Sequence, residues 1–123
     1  MNYRILIVDD QKGVRRLLEE LFKKEGFTTD CAIDGQEAIE KTGSFKPHII
    51  LMDMKMPKMN GLEAAREILN QYPDSAIIMM TAYGEIQVAK EAIEAGVKKC
   101  LTKPFDILVL RKMVLELLDE LYG

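Results

Sequence analysis

The sequence predicts an α/β fold, a (βα)5 doubly wound five-stranded parallel sheet with strand order 2-1-3-4-5. Three observations carry that expectation. Short apolar runs alternate with amphipathic stretches along the chain, with no linker, repeat or low-complexity tract between them. Two runs, Ile49 to Met52 and Ala76 to Met80, are apolar without a break, as strands covered on both faces require. Four runs lead into polar residues, at Asp9-Asp10, Asp53, Thr81 and Lys103. In a parallel sheet those four ends share one edge, where open α/β sheets hold their ligands.

In chain order, Tyr3 to Val8 reads as the first strand. A helix follows with Val14, Leu17, Leu18, Leu21 and Phe22 at helical spacing, closed by Glu25-Gly26. Phe27 to Ala32 mixes polar and apolar residues, so it belongs nearer an edge. Asp34-Gly35 turns the chain into a weak helix over Gln36 to Thr42. The central strand starts after Pro47-His48 and ends at Asp53, and His48 is expected on the surface. A buried helix would also give the run, but prolines 47 and 57 leave room for only about three turns, which favours the strand. Asn60-Gly61 precedes a third helix, Leu62 to Gln71. Ala76 to Met80 is the fourth strand, and Gly84 to Ala95 the fourth helix, with Ile86, Ala89 and Ile93 inward and Gly96 as its cap. Val97 to Leu101 is the fifth strand. Asp106 caps a last helix with Leu110, Met113, Val114, Leu117, Leu118 and Leu121 repeating at helical spacing. Four apolar residues in a row, 107 to 110, cannot all face the sheet, so some are expected at the surface. This is a flavodoxin-like arrangement.

A chain of 123 residues, 48% hydrophobic and 30% charged, is expected to be one domain over 1–123 with no output module, and monomeric. A net charge of −3 gives no reason to expect nucleic acid or an anionic membrane as a partner. No apolar run approaches the ~20 residues of a membrane span. Cys31 and Cys100 form neither a CxxC nor a zinc pattern, which fits reduced thiols in a cytoplasmic protein.

The strand ends imply chemistry. Asp9, Asp10 and Asp53 would converge with Thr81 and Lys103, and two carboxylates ~5 Å apart repel by roughly 3 kcal/mol at an effective dielectric of 20. Such a cluster calls for protonation or a cation. Oxygen donors without His or Cys select a hard ion such as Mg²⁺, which in turn takes phosphate oxygens. Asp53 could then act as a nucleophile towards phosphorus, Asp9 and Asp10 would position the metal, and Lys103 and Thr81 would meet phosphoryl oxygens. A cis bond before Pro104 would aim Lys103 at the site. Taken singly, each residue has a plainer reading as a helix cap, turn residue or solvated cation. The conjunction of four strand ends favours a site.

These residues resemble the receiver domains of two-component response regulators. The matching segments are Ile-Leu-Ile-Val-Asp9-Asp10, Leu51-Met-Asp53-Met-Lys-Met-Pro57-x-x-x-Gly61, Ile-Met-Met-Thr81-Ala82 and Lys103-Pro104-Phe105. The resemblance implies that Asp53 takes a phosphoryl group from a sensor histidine kinase or phosphotransfer protein. It further implies Mg²⁺ on Asp10, Asp53 and the backbone carbonyl of Lys55, with Asp9 in the metal shell, and Thr81 and Lys103 reading the phosphoryl group. Asp-Asp-Gln11-x-Gly13-Val14-Arg15 and Thr81-Ala82-Tyr83-Gly84-Glu85 are similar to the sporulation phosphorelay type. That type is a phosphotransferase only in relaying phosphate from histidine to aspartate to histidine, rather than a metabolic enzyme. Many receivers carry an aromatic residue or His where this chain has Cys100, so the resemblance implies a weaker switch through Thr81 and Cys100. Gln11, Lys12, Val14, Leu17, Leu18, Tyr83, Pro104 and Phe105 are the expected contacts for a histidine phosphotransfer partner, with one of Leu17 and Leu18 in the core. A chemotaxis-like regulator, docking its phosphorylated surface on a target, is the alternative. No nucleotide or dinucleotide loop is present.

Overall fold

The computed structural model describes residues 2–82 and 84–123. Five strands alternate with five helices: β1 (Arg4–Val8), α1 (Lys12–Lys24), β2 (Thr28–Ala32), α2 (Gly35–Phe45), β3 (Ile49–Asp53), α3 (Gly61–Gln71), β4 (Ile77–Thr81), α4 (Ile86–Ala95), β5 (Lys99–Thr102) and α5 (Ile107–Tyr122). The sheet order is β2-β1-β3-β4-β5 and every pairing is parallel.

Strand alternation divides the core in two. Leu6, Val8, Ile50, Met52, Ile77 and Met79 face α2, α3 and α4 through Ala38, Leu62, Ala65, Ile68 and Ala92. Ile5, Ile7, Ile49, Leu51, Ile78 and Met80 face α1 and α5 through Leu18, Phe22, Leu110, Val114 and Leu117. The central strands β1, β3 and β4 therefore bury consecutive residues, each large apolar side chain contributing about 1.5–3 kcal/mol. β2 lies at the edge, as its polar alternation predicts.

Helix ends follow local chemistry. Asp34 accepts the Glu37 amide at the start of α2, and Asp106 accepts the Leu108 amide at the start of α5. Gly26 and Gly96 take positive φ just past α1 and α4. At α3, Asn60 and Glu63 form a reciprocal capping box that the sequence reading did not single out.

Several expectations need correction. β5 starts at Lys99 rather than Val97, and α2 runs on to Phe45. α4 begins at Ile86 rather than Gly84, and its expected inward residues Ile86 and Ile93 are 71% and 48% exposed. The helix instead packs through Val88 and Ala92, with Ala89 half-buried. Val88 sits about 200° around the helix from Ile86, so choosing the large residues as the inner face set the stripe on the wrong side. Leu121 also lies at the surface, in the last turn of α5 beyond the end of the sheet's cover. His48 is half-buried rather than exposed: its Nδ1 accepts the Arg4 amide at 2.9 Å, and its ring meets Tyr3 and Tyr122 edge-on. A polar ring next to a proline looks like a loop residue until the chain's two ends close around it. Of residues 107 to 110, Leu110 is buried while Leu108 and Val109 are exposed, as four consecutive helical positions require.

Candidate functional site: an acidic cluster at the strand ends

β1 and β3 are adjacent and in register, Val8 opposite Met52, so the residues that follow them emerge side by side. Carboxylate oxygens of Asp9, Asp10 and Asp53 all lie within 4.8 Å of one another. β5 enters from the other side of β4 and brings Lys103, whose Nζ donates to Asp53 Oδ1 at 2.7 Å and lies 3.8 Å from Asp9 Oδ2. The Lys103 backbone amide donates to the Thr81 carbonyl at 2.7 Å, which fixes where the lysine leaves the sheet. The Lys103–Pro104 bond is cis, one of the two isomers open to it from the sequence.

Two local features hold the carboxylates. Asp9 Oδ1 accepts the Gln11 amide at 2.9 Å, and the Asp9 carbonyl accepts Arg15 Nη1 at 2.9 Å. Behind Asp53, the Gly61 amide donates to the Met54 carbonyl at 2.7 Å. A Cβ at Gly61 would sit 2.4 Å from the Asp53 carbonyl oxygen and 2.8 Å from Met54 Cα, so only glycine lets the β3–α3 loop fold back this closely.

The electrostatics are unfavourable for the protein alone. Burial pushes the Asp9 carboxyl above its ordinary range, aided by Asp53 and Asp10 and opposed by the Gln11 amide and Lys103. Burial also raises Asp53, opposed by its Lys103 hydrogen bond and aided by Asp10. Asp9 Oδ2 is fully buried and accepts no hydrogen bond among the described residues. Three carboxylates, one of them with an orphaned oxygen, form a donor set that fits a hard divalent cation such as Mg²⁺.

A cavity of about 270 Å³ opens over the cluster, lined in part by Asp10, Gln11, Asp53, Lys55 and Lys103. Asp9 and Thr81 are buried and are not among its lining residues. Ala82 and Glu85 do line it, and the sequence reading gave neither a role. The available signal was spacing: Glu85 stands three residues after Ala82, as Glu63 stands three after Asn60. Arg15, quoted only as part of a motif, also proves to brace Asp9.

Beside the site lies a second, more apolar groove of about 450 Å³ between α1 and the β5–α5 loop. Gln11, Val14, Leu17, Leu18, Pro104 and Phe105 all line it, joined by Ile107. Leu18 is core and Leu17 is 55% exposed. Lys12 is exposed and is not among the lining residues, and Tyr83 lies outside the described residues. Cys100 is half-buried between α4 and the sheet, its Sγ 3.8 Å from the Ala89 carbonyl. Burial raises its thiol, and burial with Glu19 pushes Cys31 up to about 12, both shifts favouring the neutral thiol.

The family model described as the response regulator receiver domain matches residues 5–115. The chain is 42% identical over 114 residues to sporulation initiation phosphotransferase F of Bacillus subtilis, covering 93% of this chain and 92% of that one. It is also 42% identical over 106 residues to the chemotaxis protein CheY of Thermotoga maritima, covering 85% and 88%. To the regulatory protein AtoC of Escherichia coli it is 41% identical, but it spans only 23% of that protein's length. Among solved structures, CheY in a CheX–CheY–BeF3–Mg complex from Borrelia burgdorferi superposes with a TM-score of 0.88 at 31% identity, covering 94% of this chain and 88% of that one. The parallel sheet, its strand order and the family match together place the chain among the response regulator receiver domains of two-component signalling.

Proposed function

We propose that Asp53 is the phosphoryl acceptor of a phosphorelay, charged by a sensor histidine kinase and discharged onto a histidine of a phosphotransfer protein. The observation that carries this reading is the pairing of Asp53 with Lys103 at 2.7 Å beside two further carboxylates, of which Asp9 shares the same ammonium at 3.8 Å. In the forward step an Asp53 oxygen attacks phosphorus, the P–O bond forms as the P–N bond breaks, and the electron pair returns to the imidazole nitrogen. The other ring nitrogen already carries a proton, so neutral imidazole leaves. Onward transfer is the reverse step with a different histidine. Asp10, Asp53 and the Lys55 backbone carbonyl would hold Mg²⁺, with Asp9 behind them. Magnesium, when bound, supplies the positive charge that lets phosphoryl oxygens share a pocket with these carboxylates. Lys103 exchanges its Asp53 contact for a phosphoryl oxygen, and Thr81 donates its hydroxyl to another. Cys100, smaller than an aromatic ring, leaves little side-chain motion to couple to Thr81, which suits a carrier.

The phosphorelay assignment is supported by identity to the sporulation phosphotransferase over nearly the whole of both chains. The groove of Gln11, Val14, Leu17, Leu18, Pro104 and Phe105 opens beside Lys103 and is where a phosphotransfer protein would seat its histidine towards Asp53. Equal identity to a chemotaxis regulator favours one competing reading, phosphate-dependent docking on a target in the cytoplasm.

Intact-mass spectrometry with Mg²⁺ and acetyl phosphate tests the core of the proposal. Wild type gains one phosphoryl mass, chelation of the metal prevents it, and Asp53→Asn does not gain it. Removal of that adduct by a histidine phosphotransfer protein supports the relay, and its persistence favours docking. Absence of any adduct with both small-molecule and kinase donors overturns the acceptor assignment.

A further inference from the structure

We propose that Glu85 gates the phosphoryl pocket by occupying the Ala82 amide, a donor that a phosphoryl group on Asp53 would otherwise take. This rests on Asp53 being the acceptor. Met80 is paired in register with Asp53, so Ala82 lies two residues past that pair, where β4 leaves the sheet over the site. Ala82 and Glu85 line the same cavity as Asp53, Asp10 and Lys103. Glu85 Oε1 accepts the Ala82 amide at 2.7 Å, while the Glu85 amide donates to the Ala82 carbonyl at 3.2 Å.

Helix capping alone does not account for this contact. Glu37 and Glu63 also reach back to amides, of Ile33 at 3.0 Å and Asn60 at 3.2 Å. Each of those is matched by a side chain reaching forward, Asp34 to the Glu37 amide and Asn60 to the Glu63 amide. At α4 there is no side-chain cap, and Ala82 has no side-chain acceptor to return the bond. What remains is a third carboxylate lining a cavity that Asp10 and Asp53 already line.

A phosphoryl group adds about −1.5 to −2 charges at pH 7. Its arrival repels Glu85 and competes for the Ala82 N–H, a neutral backbone donor of the kind that binds anions well. Glu85 is half-exposed, so its carboxylate has open solvent to retreat to. Its departure frees the Ala82 amide and leaves the backbone bond from the Glu85 amide to the Ala82 carbonyl to hold the turn into α4. Glu85 is thus a positioning residue: it acts through the Ala82 amide rather than on the reacting atoms.

The test uses beryllofluoride with Mg²⁺ as a stable phosphoryl analogue on wild type, Asp53→Asn, Glu85→Ala and Glu85→Gln. NMR reads the Ala82 amide, and metal-free hydrogen exchange of that amide is measured in parallel. Glu85→Ala is expected to bind the analogue about fivefold more tightly, the scale of one hydrogen bond, and to lose protection at Ala82. Glu85→Gln keeps the acceptor oxygen but not the charge, so it retains protection and shows a smaller gain. A structural support would behave oppositely, because its loss weakens analogue binding. Equal or weaker binding by Glu85→Ala, or by Glu85→Gln should the alanine variant not fold, overturns the gate while the acceptor assignment stands. Failure of wild type to bind the analogue at all overturns the acceptor assignment, and the gate with it.

Discussion

The two ends of the sheet are built to opposite rules. At the N-terminal end of β3, His48 accepts the Arg4 amide and packs its ring between Tyr3 and Tyr122, while Tyr3 also meets Phe27 edge-on. The Arg4 amide and the His48 ring are both partnered there. At the other end of the same strand, Asp53, Asp9 and Asp10 crowd together, one ammonium serves two of them, and a buried oxygen goes without a donor. The first end stabilises the fold. The second carries like charges in close quarters, a strain that a bound cation would relieve.

The sharpest way to break this contrast is Gly61→Ala. A methyl group 2.4 Å from the Asp53 carbonyl oxygen forces the β3–α3 loop away from the strand end. We expect a loss of about 3 kcal/mol or more in urea denaturation, together with loss of phosphorylation on Asp53. Near-wild-type values for both would mean that this close approach does not hold the site.

The next effect is smaller and differs in sign between the two ends. Burial, with the nearby Arg4 charge, lowers His48, so the folded state prefers the neutral ring. Its contribution is complete above the unfolded value near 6.5 and is lost as pH falls through the depressed folded value. Asp9 and Asp53 are raised above 3.8, so their contribution is complete below that pH and is lost as pH rises through their folded values. Without metal, Asp53→Asn is therefore expected to raise the melting temperature at pH 7.5 by several degrees. His48→Ala is expected to lower it by an amount corresponding to about 1–3 kcal/mol, since the Arg4 amide loses its acceptor. A destabilised Asp53→Asn protein would contradict the picture of a frustrated strand end.

The smallest stability effect belongs to the groove beside the site. Leu17 is largely exposed, so Leu17→Ser is expected to change stability by no more than about 0.5 kcal/mol. Transfer of phosphate to a histidine phosphotransfer protein is expected to fall about tenfold or more, with autophosphorylation by acetyl phosphate unaltered. Unchanged transfer would place the partner surface elsewhere.

Periodicity determined the alternation of strands and helices in this chain. Uninterrupted runs such as Ile49 to Met52 suit strands covered on both faces, and their alternation with amphipathic helices points to a parallel sheet, so the shared edge of Asp9, Asp10, Asp53 and Lys103 was legible before any coordinates, while the strand order rested on likeness to flavodoxin-like folds. Local chemistry was equally legible where it acts within a few residues, as at Asp106 and Gly96. Tertiary structure decided the rest. Which face of α4 is inward depended on how the helix rotates against the sheet, and Val88 and Ala92 won over the larger Ile86 and Ile93. His48 gained its partners from positions 3, 4 and 122, distant in sequence and brought together only by folding. Glu85 is an ordinary loop glutamate in the sequence; it becomes part of the site because β4 delivers the Ala82 amide into the Asp53 cavity. Short-range hydrogen bonds and periodic burial are encoded locally, whereas the meeting of two surfaces depends on every element that positions them.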